Sequence, residues 1–115
     1  VGEQPGAVEG RAALPARLDR GDRIDAVFCA NDLLATGALI EARARGLSVP
    51  RDLAVLGFGD NDVADQITPG LTTISFDAAA VGRIAAELLL ARLSGTQLAE
   101  QRLAVDLSLI ERGSV

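Results

Sequence analysis

The sequence predicts an α/β domain with three layers, in which helices cover both faces of a largely parallel sheet. Apolar strand-like segments alternate with helical ones along most of the 115 residues, as is typical of parallel sheets with crossover helices. Residues 53–62 form the clearest strand signal, an apolar run, Leu-Ala-Val-Leu, that leads through Gly-Phe-Gly into Asp-Asn-Asp. Such a run suits an inner strand covered on both faces.

The end of this strand is the first candidate site. Ligands of open α/β sheets bind outside the carboxyl ends of the strands, so we expect a functional site between Gly57 and Asp62. The alternative is that Gly57 and Gly59 supply only turn geometry and that Asp60 and Asp62 are solvated turn residues.

The first half of the chain predicts two helices and a strand. Residues 7–18 form a helix interrupted by Pro15, which removes a hydrogen bond and favours a kink or a short restart. Residues 26–30 form a short apolar strand. Asn31-Asp32 then caps a helix that ends before Gly46.

The second half adds three strands and a long helix. Strand 53–57 is followed by about one helical turn within 61–70 and by a β-branched strand over 71–76. Asp77 caps a helix that reaches Leu93, and alternation over 103–110 predicts a half-exposed edge strand. The long helix carries a predicted buried stripe of Val81, Ile84, Ala85, Leu88 and Leu89. A doubly wound sheet should start with a strand, so we expect one to precede Val1.

The amino-acid composition excludes several classes of function. The net charge of −5 and the scattered arginines predict that these residues do not bind nucleic acid. With no histidine, Ser-His-Asp and Cys-His catalysis and histidine metal sites are excluded, and we expect no catalytic residue, metal or cofactor. No segment approaches a membrane span. The single Cys29 cannot form an internal disulfide and fits the reducing cytoplasm.

Four linked motifs then carry a family resemblance. They are Phe28-Cys29-Ala30-Asn31-Asp32, Gly46-Leu47-Ser48-Val49-Pro50-Arg51-Asp52, Val55-Leu56-Gly57-Phe58 and Pro69-Gly70-Leu71-Thr72-Thr73-Ile74. In this order and spacing they resemble the effector-binding region of the lactose-repressor (LacI/GalR) family of transcription regulators.

The resemblance implies a periplasmic-binding-protein-like type I fold, of which residues 1–115 match only the C-terminal subdomain. The N-terminal helix-turn-helix and the N-terminal lobe would be absent from this chain. The full-length relative would be a cytoplasmic homodimer and not an enzyme. A small sugar or sugar acid held between its lobes would shift its affinity for operator DNA, which it contacts only through the missing N-terminal domain.

The resemblance also assigns effector-binding residues. Asn31 matches a position that hydrogen-bonds the effector, although it could serve only as a helix cap. Phe76 matches a pocket position that is commonly Gln, and a core aromatic is the other interpretation. Pro5 falls where relatives often place a stacking aromatic. Gly59 stands where the family has a carboxylate, so either Asp60 takes over that role or the pocket tolerates an anionic effector.

The same resemblance assigns a dimer interface to the start of the helix after Asn31 and the segment before the Leu71 strand. The residues concerned are Leu33, Leu34, Thr36 and Ile67. That helix is apolar around more of its girth than one sheet face can cover, which independently suggests a partner. Packing under the 61–69 loop within one chain is the alternative.

Two other classes compete with the regulator. A periplasmic sugar-binding protein of an uptake system shares the core fold and would differ by a secretory signal and a monomeric state. An α/β enzyme or phospho-accepting receiver domain would use Asp60 and Asp62 as an acidic pocket. A receiver also needs a lysine, and this chain has none.

Overall fold

The computed structural model describes residues 5–95 and 104–115. The elements alternate along the chain in the predicted manner, with helices α1 to α4 and strands β1 to β4. They are α1 (Ala7–Leu18), β1 (Ala26–Phe28), α2 (Asp32–Ala44), β2 (Ala54–Phe58), α3 (Val63–Gln66), β3 (Thr72–Phe76), α4 (Ala78–Leu93) and β4 (Leu107–Ile110). The α/β class and the flanking helices are confirmed.

The four strands form one sheet in the order β1-β2-β3-β4. β1 and β2 pair in parallel, with Phe28 opposite Leu56, and β2 and β3 pair in parallel, with Gly57 opposite Thr73. The strand at 53–57 is therefore an inner strand, as predicted. Its burial alternates, because Val55 and Gly57 are buried whereas their neighbours are half-buried. The two faces of β2 are therefore not equally covered, contrary to the expectation from its continuous apolar run.

The core lies between α2 and one face of the sheet. Small α2 residues allow the helix to approach the strands closely, and the apolar ends of β2 and β3 complete the cluster. Its members are Leu14, Ala35, Ala38, Leu39, Ala42, Leu53, Val55, Ala64 and Leu71. Cys29 is a free, half-buried thiol beside this core, and burial raises its pKa.

Helices α1 and α2 pack backbone to backbone. A Cβ on Gly10 would overlap the backbone of Leu34, and a Cβ on Gly37 would overlap the backbone of Ala7 and Arg11. Glycine is required at both positions because no side chain fits between the helices. α1 runs through Pro15 as one helix. Of the two predicted outcomes the restart is therefore wrong, and the kink stays a prediction.

Arg45 links the ends of the same two helices from outside. Its guanidinium donates to Asp19 at 2.7 Å and to Glu41 at 3.0 Å. These hydrogen bonds hold the pKa of both carboxyl groups below their ordinary values. Since the Asp19 side chain is 64% exposed, its pair with Arg45 adds little stability.

The chain divides into two compact units. One comprises Val1–Ser75 and Leu109–Val115, and the other comprises Phe76–Ser108. In the second unit Asp77 caps α4 by accepting from the Ala80 N–H at 2.8 Å, as predicted. No α4 residue is buried, and Leu89 is 59% exposed. The predicted buried stripe is therefore wrong, and the packing of this helix on the sheet remains a prediction.

β4 lies at the edge of the sheet, as the alternation predicts. However, Leu107 and Leu109 are 57% and 55% exposed, so the face expected to be covered is open among the described residues. Leu103, the first residue of the predicted strand, lies outside the described residues.

We expect Gly37→Ala to destabilise the protein, because the added methyl meets backbone atoms of α1 that cannot move independently of the helix. The expected loss is about 1–3 kcal/mol in the free energy of unfolding, measured by urea denaturation. Gly82→Ala is the control, because nothing lies within 4 Å of that Cβ. It should gain up to about 1 kcal/mol from helix propensity. Equal effects of the two changes would contradict the close packing of α1 on α2.

Candidate functional site

Three chain segments converge beyond the ends of the inner strands. The segment after β1 carries Asn31 and Asp32, the segment after β2 runs from Gly59 to Asn61, and Thr73 lies on β3 opposite Gly57. We call these residues, together with Gly57, the strand-end cluster. All of them belong to the first compact unit.

Asp32 joins these segments. Its side chain is fully buried, although carboxylates are rarely buried unless they are paired. Oδ1 accepts from the Thr73 hydroxyl at 2.6 Å, and Oδ2 accepts from the Asn61 N–H at 2.6 Å. Among the described residues no ion pair includes Asp32. Its charge is therefore compensated by these donors and by its position in the first turn of α2, where the helix dipole favours an acid.

Gly57 provides the room for this carboxylate. A Cβ at Gly57 would overlap Oδ1 of Asp32 and would crowd the side chains of Leu71 and Thr73. The glycine that the sequence places at the end of the apolar run is therefore needed for space. Its neighbour Gly59 has a φ of +121°, and there glycine supplies conformational freedom.

Asn31 has two partners within the protein. Its Oδ1 accepts from the Leu34 N–H at 2.8 Å, which is the helix cap that the sequence predicts. Its Nδ2 donates to the Pro5 carbonyl at 3.0 Å, so the structure brings Pro5 and Asn31 together. Each polar atom keeps capacity for one more hydrogen bond, because an amide has two N–H donors and two oxygen lone pairs.

Asp60 forms an ion pair with Arg112, which joins the β2 end to the C-terminal segment. The guanidinium donates to Oδ1 at 2.8 Å and also to the Leu71 carbonyl at 2.8 Å. The two side chains are 27% and 21% exposed, respectively. Asp60 has a φ of +52°, a conformation that is uncommon outside glycine and enriched in Asn and Asp. Part of its acceptor capacity is therefore used inside the protein.

The C-terminal segment also fastens the inner strands to each other near their first residues. The fully buried Ser114 hydroxyl donates to the Val55 carbonyl at 2.6 Å and accepts from the Thr72 N–H at 2.8 Å. The Val55 N–H donates to the Ser114 carbonyl at 2.8 Å. Residues 112–114 thus hold β2 and β3 together where the strands begin.

Phe76 is the last residue of β3 and the first of the second unit, and it is half-buried. Its role in the pocket remains a prediction.

Three of the predicted interface residues lie on different surfaces of α2, and Ile67 follows α3. Thr36 and Ile67 line one shallow depression, together with Ile40 and Arg43. Leu33 is 46% exposed. Leu34 is half-buried and lines an apolar cavity of about 290 Å³ beside α1. Of the four, Leu33 can be changed with the least effect on packing within the chain.

Sequence reasoning missed three members of the site. Asp32 was expected only to accompany the helix cap, whereas Thr73 and Arg112 were assigned no role. A long-range hydrogen bond leaves no local pattern in the sequence. Asp32 and Thr73 could have been indicated only by the combination of a buried position and a polar residue type.

The whole chain was compared with known proteins. A family model described as a periplasmic binding protein-like domain matches residues 2–115. The chain belongs to this family. The predicted periplasmic-binding-protein-like fold is thereby confirmed.

Within this family the curated relatives are transcription regulators. The chain is 39% identical over 105 residues to the HTH-type transcriptional regulator CelR of Thermobifida fusca, covering 91% of the chain and 31% of CelR. It is 44% identical over 92 residues to the HTH-type transcriptional regulator GntR of Pseudomonas aeruginosa, covering 80% of the chain and 27% of GntR. The chain therefore spans about a third or less of these relatives.

Solved structures agree. The structure of a CelR–cellobiose complex superposes with a TM-score of 0.87 at 37% identity, covering 96% of this chain and 34% of that one. A LacI-type transcription regulator from Bifidobacterium animalis superposes with a TM-score of 0.84 at 36% identity, covering 95% of this chain and 39% of that one. The resemblance to LacI-type regulators is therefore confirmed. Among the described residues no helix has the length and apolar character needed to cross a membrane.

The pairing of Asp60 with Arg112 predicts unequal effects of two substitutions. Asp60→Asn keeps an oxygen acceptor and a residue type that tolerates positive φ, so we expect a loss of about 0–1 kcal/mol in the free energy of unfolding. Asp60→Ala loses both, and we expect about 1–2 kcal/mol. Urea denaturation measures both variants, and equal losses would contradict this account of Asp60.

Proposed function

We propose that this chain is the C-terminal, effector-sensing part of a LacI-type transcription regulator. A small molecule held between this part and an N-terminal lobe would shift the protein between states of different operator affinity. The observation that carries the proposal is the 39% identity to CelR over 91% of the chain. The strand-end cluster supports it, because polar groups converge there at the carboxyl ends of parallel strands.

The effector proposed is a small sugar or a sugar acid. CelR has been solved with cellobiose, and the Asn31 amide suits a sugar hydroxyl because it offers both a donor and an acceptor. Gly59 contributes no carboxylate, and the carboxylate of Asp60 is paired with Arg112 at 2.8 Å. These two positions therefore present little unpaired negative charge to a ligand. A sugar acid would meet less repulsion here than it would from an unpaired carboxylate. The proposed contacts are Asn31, Asp60, Phe76 and Pro5.

We also propose a homodimer that acts in the cytoplasm and binds operator DNA through an N-terminal domain outside this chain. The net charge of −5 makes direct DNA contact by these residues unfavourable. The protein would be a regulator and not an enzyme. The curated relatives are named as transcription regulators, which favours this proposal over a periplasmic sugar-binding protein.

DNA binding separates these alternatives. The full-length protein carrying this chain would be used to select duplexes from a random library, and the selected complex would be titrated with D-glucose, D-gluconate and cellobiose. A regulator retains specific duplexes, and one of the sugars changes its affinity for them. Failure to select any sequence, together with tight sugar binding, would support the uptake protein instead.

We expect the isolated 115-residue chain to bind these sugars weakly. In a half-site the ligand stays hydrated on one side, whereas binding pockets usually bury about 70–90% of a ligand's surface. Calorimetry should show an affinity at least about 100-fold lower than that of the full-length protein, equivalent to about 2.7 kcal/mol. Equal, tight binding by both would show that the site lies wholly within this chain.

The dimer is tested on the full-length protein with Leu33→Asp. Leu33 is 46% exposed, so the substitution should leave the fold intact while placing a charge in the proposed interface with Leu34, Thr36 and Ile67. Sedimentation should then show a monomer. Ala16→Asp, which puts the same charge on the exposed side of α1, should leave the dimer unchanged. A dimeric Leu33→Asp protein would refute this interface.

A further inference from the structure

We propose that Asp32 is a positioning residue for the effector site. Its buried carboxylate would fix the loop from Gly59 to Asn61 against β3 in the conformation that receives the ligand. The inference rests on the proposed function, and it gives a role to a residue that the ligand itself does not need to touch.

Each oxygen holds a different part of the site. Oδ2 accepts from the Asn61 N–H at 2.6 Å, which fixes the backbone next to Asp60. Oδ1 accepts from the Thr73 hydroxyl at 2.6 Å, and the same hydroxyl lies 3.4 Å from the Asp60 N–H. The loop is therefore fastened at two consecutive residues, directly to the carboxylate and indirectly through Thr73.

Asp32 also directly follows Asn31, which caps the start of α2. The side-chain amide of Asn31 is one of the proposed contacts to the effector. A shift of the carboxylate would therefore move the proposed contacts on both sides of the site. Charge-assisted hydrogen bonds to a carboxylate are short and directional. Holding a loop in its bound conformation raises affinity because less conformational freedom is lost on binding.

The surroundings confine the carboxylate to one place. Gly57 leaves space for Oδ1 that a Cβ would fill, and Asp32 is fully buried. Asparagine has the same shape but offers only one oxygen. If that oxygen stays on Thr73, the amide N–H faces the Asn61 N–H, and if the amide turns over, the Thr73 hydroxyl loses its acceptor instead. In either orientation one donor that fastens the loop is left without the carboxylate. Asp32→Asn should therefore release the loop with the smallest change in packing.

The matched control is Ser114→Ala. Ser114 is also fully buried and also makes two hydrogen bonds to β2 and β3. It lies where these strands begin, whereas Asp32 lies where β2 ends. Loss of the Ser114 hydroxyl should destabilise the protein without moving the loop from Gly59 to Asn61. A purely structural role for Asp32 predicts that the two variants behave alike.

The first measurement needs no ligand. Amide hydrogen exchange on the full-length protein should be faster over residues 59–62 in Asp32→Asn than in the parent. It should be unchanged there in Ser114→Ala, at a comparable loss of melting temperature. If Asp32→Asn leaves exchange in this loop unchanged, the positioning role is wrong, whatever the protein binds.

The second measurement is affinity for the sugar among D-glucose, D-gluconate and cellobiose that the parent binds best. Asp32→Asn should lower that affinity by about 10–100-fold, the size of effect that loss of an outer-shell orienting residue has at metal sites. Ser114→Ala should leave it within about twofold. Equal weakening by both variants would overturn the proposal.

Thr73→Val supplies an independent variant in case Asp32→Asn does not fold. It keeps the shape of Thr73 and removes the hydroxyl that links Oδ1 of Asp32 to Asp60. Like Asp32→Asn, it should therefore speed amide hydrogen exchange in the loop and lower the affinity for the sugar. Thr73→Ser should restore both to the parent values. If none of the three sugars binds the parent, the proposed effector class fails, and hydrogen exchange alone decides the role of Asp32.

Discussion

The arrangement of this site depends on one buried carboxylate. Asp32 accepts hydrogen bonds from the hydroxyl of Thr73 and from the N–H of Asn61, and so it ties the start of α2 to the end of β2 and the start of β3. A buried carboxylate without donors would be strongly unfavourable. The segments that carry its donors must therefore lie close to it in the folded protein.

Other features of the fold follow from this constraint. Gly57 must lack a side chain because Oδ1 occupies the space beside it. The chain after β2 turns through positive φ at Gly59 and Asp60, which brings the Asn61 N–H to Oδ2 and Asp60 to Arg112. The C-terminal segment holds the beginning of both strands through Ser114. β2 is thus fastened near both ends by groups outside the sheet, whereas β3 is fastened near its start, at Thr72 and Thr73.

Local signals explain which parts of the fold could be predicted. The bounds of α1 and α4 match the prediction, and Asn31 and Asp77 cap their helices as expected. Glycines and proline mark the ends of these elements in the sequence itself. The strand 53–57 was identified as an inner strand because its apolar run has no polar alternation.

The remaining contacts could not be predicted because they join distant residues. Arg112 meets Asp60 across 52 positions, and Ser114 meets Val55 across 59. The exposed apolar residues of α4 illustrate a second limit. A helical stripe shows that a surface is suited to burial, but it does not show what covers that surface.

The most direct test of the central claim is a double-mutant cycle between Asp32 and Thr73, measured by urea unfolding of the full-length protein. Asp32→Ala, Thr73→Val and the double variant report the coupling between the carboxylate and the hydroxyl. A hydrogen bond to a buried charged group predicts a coupling energy of about 1.5–3 kcal/mol. Additivity within about 0.5 kcal/mol would show that the two groups act independently and would contradict the account.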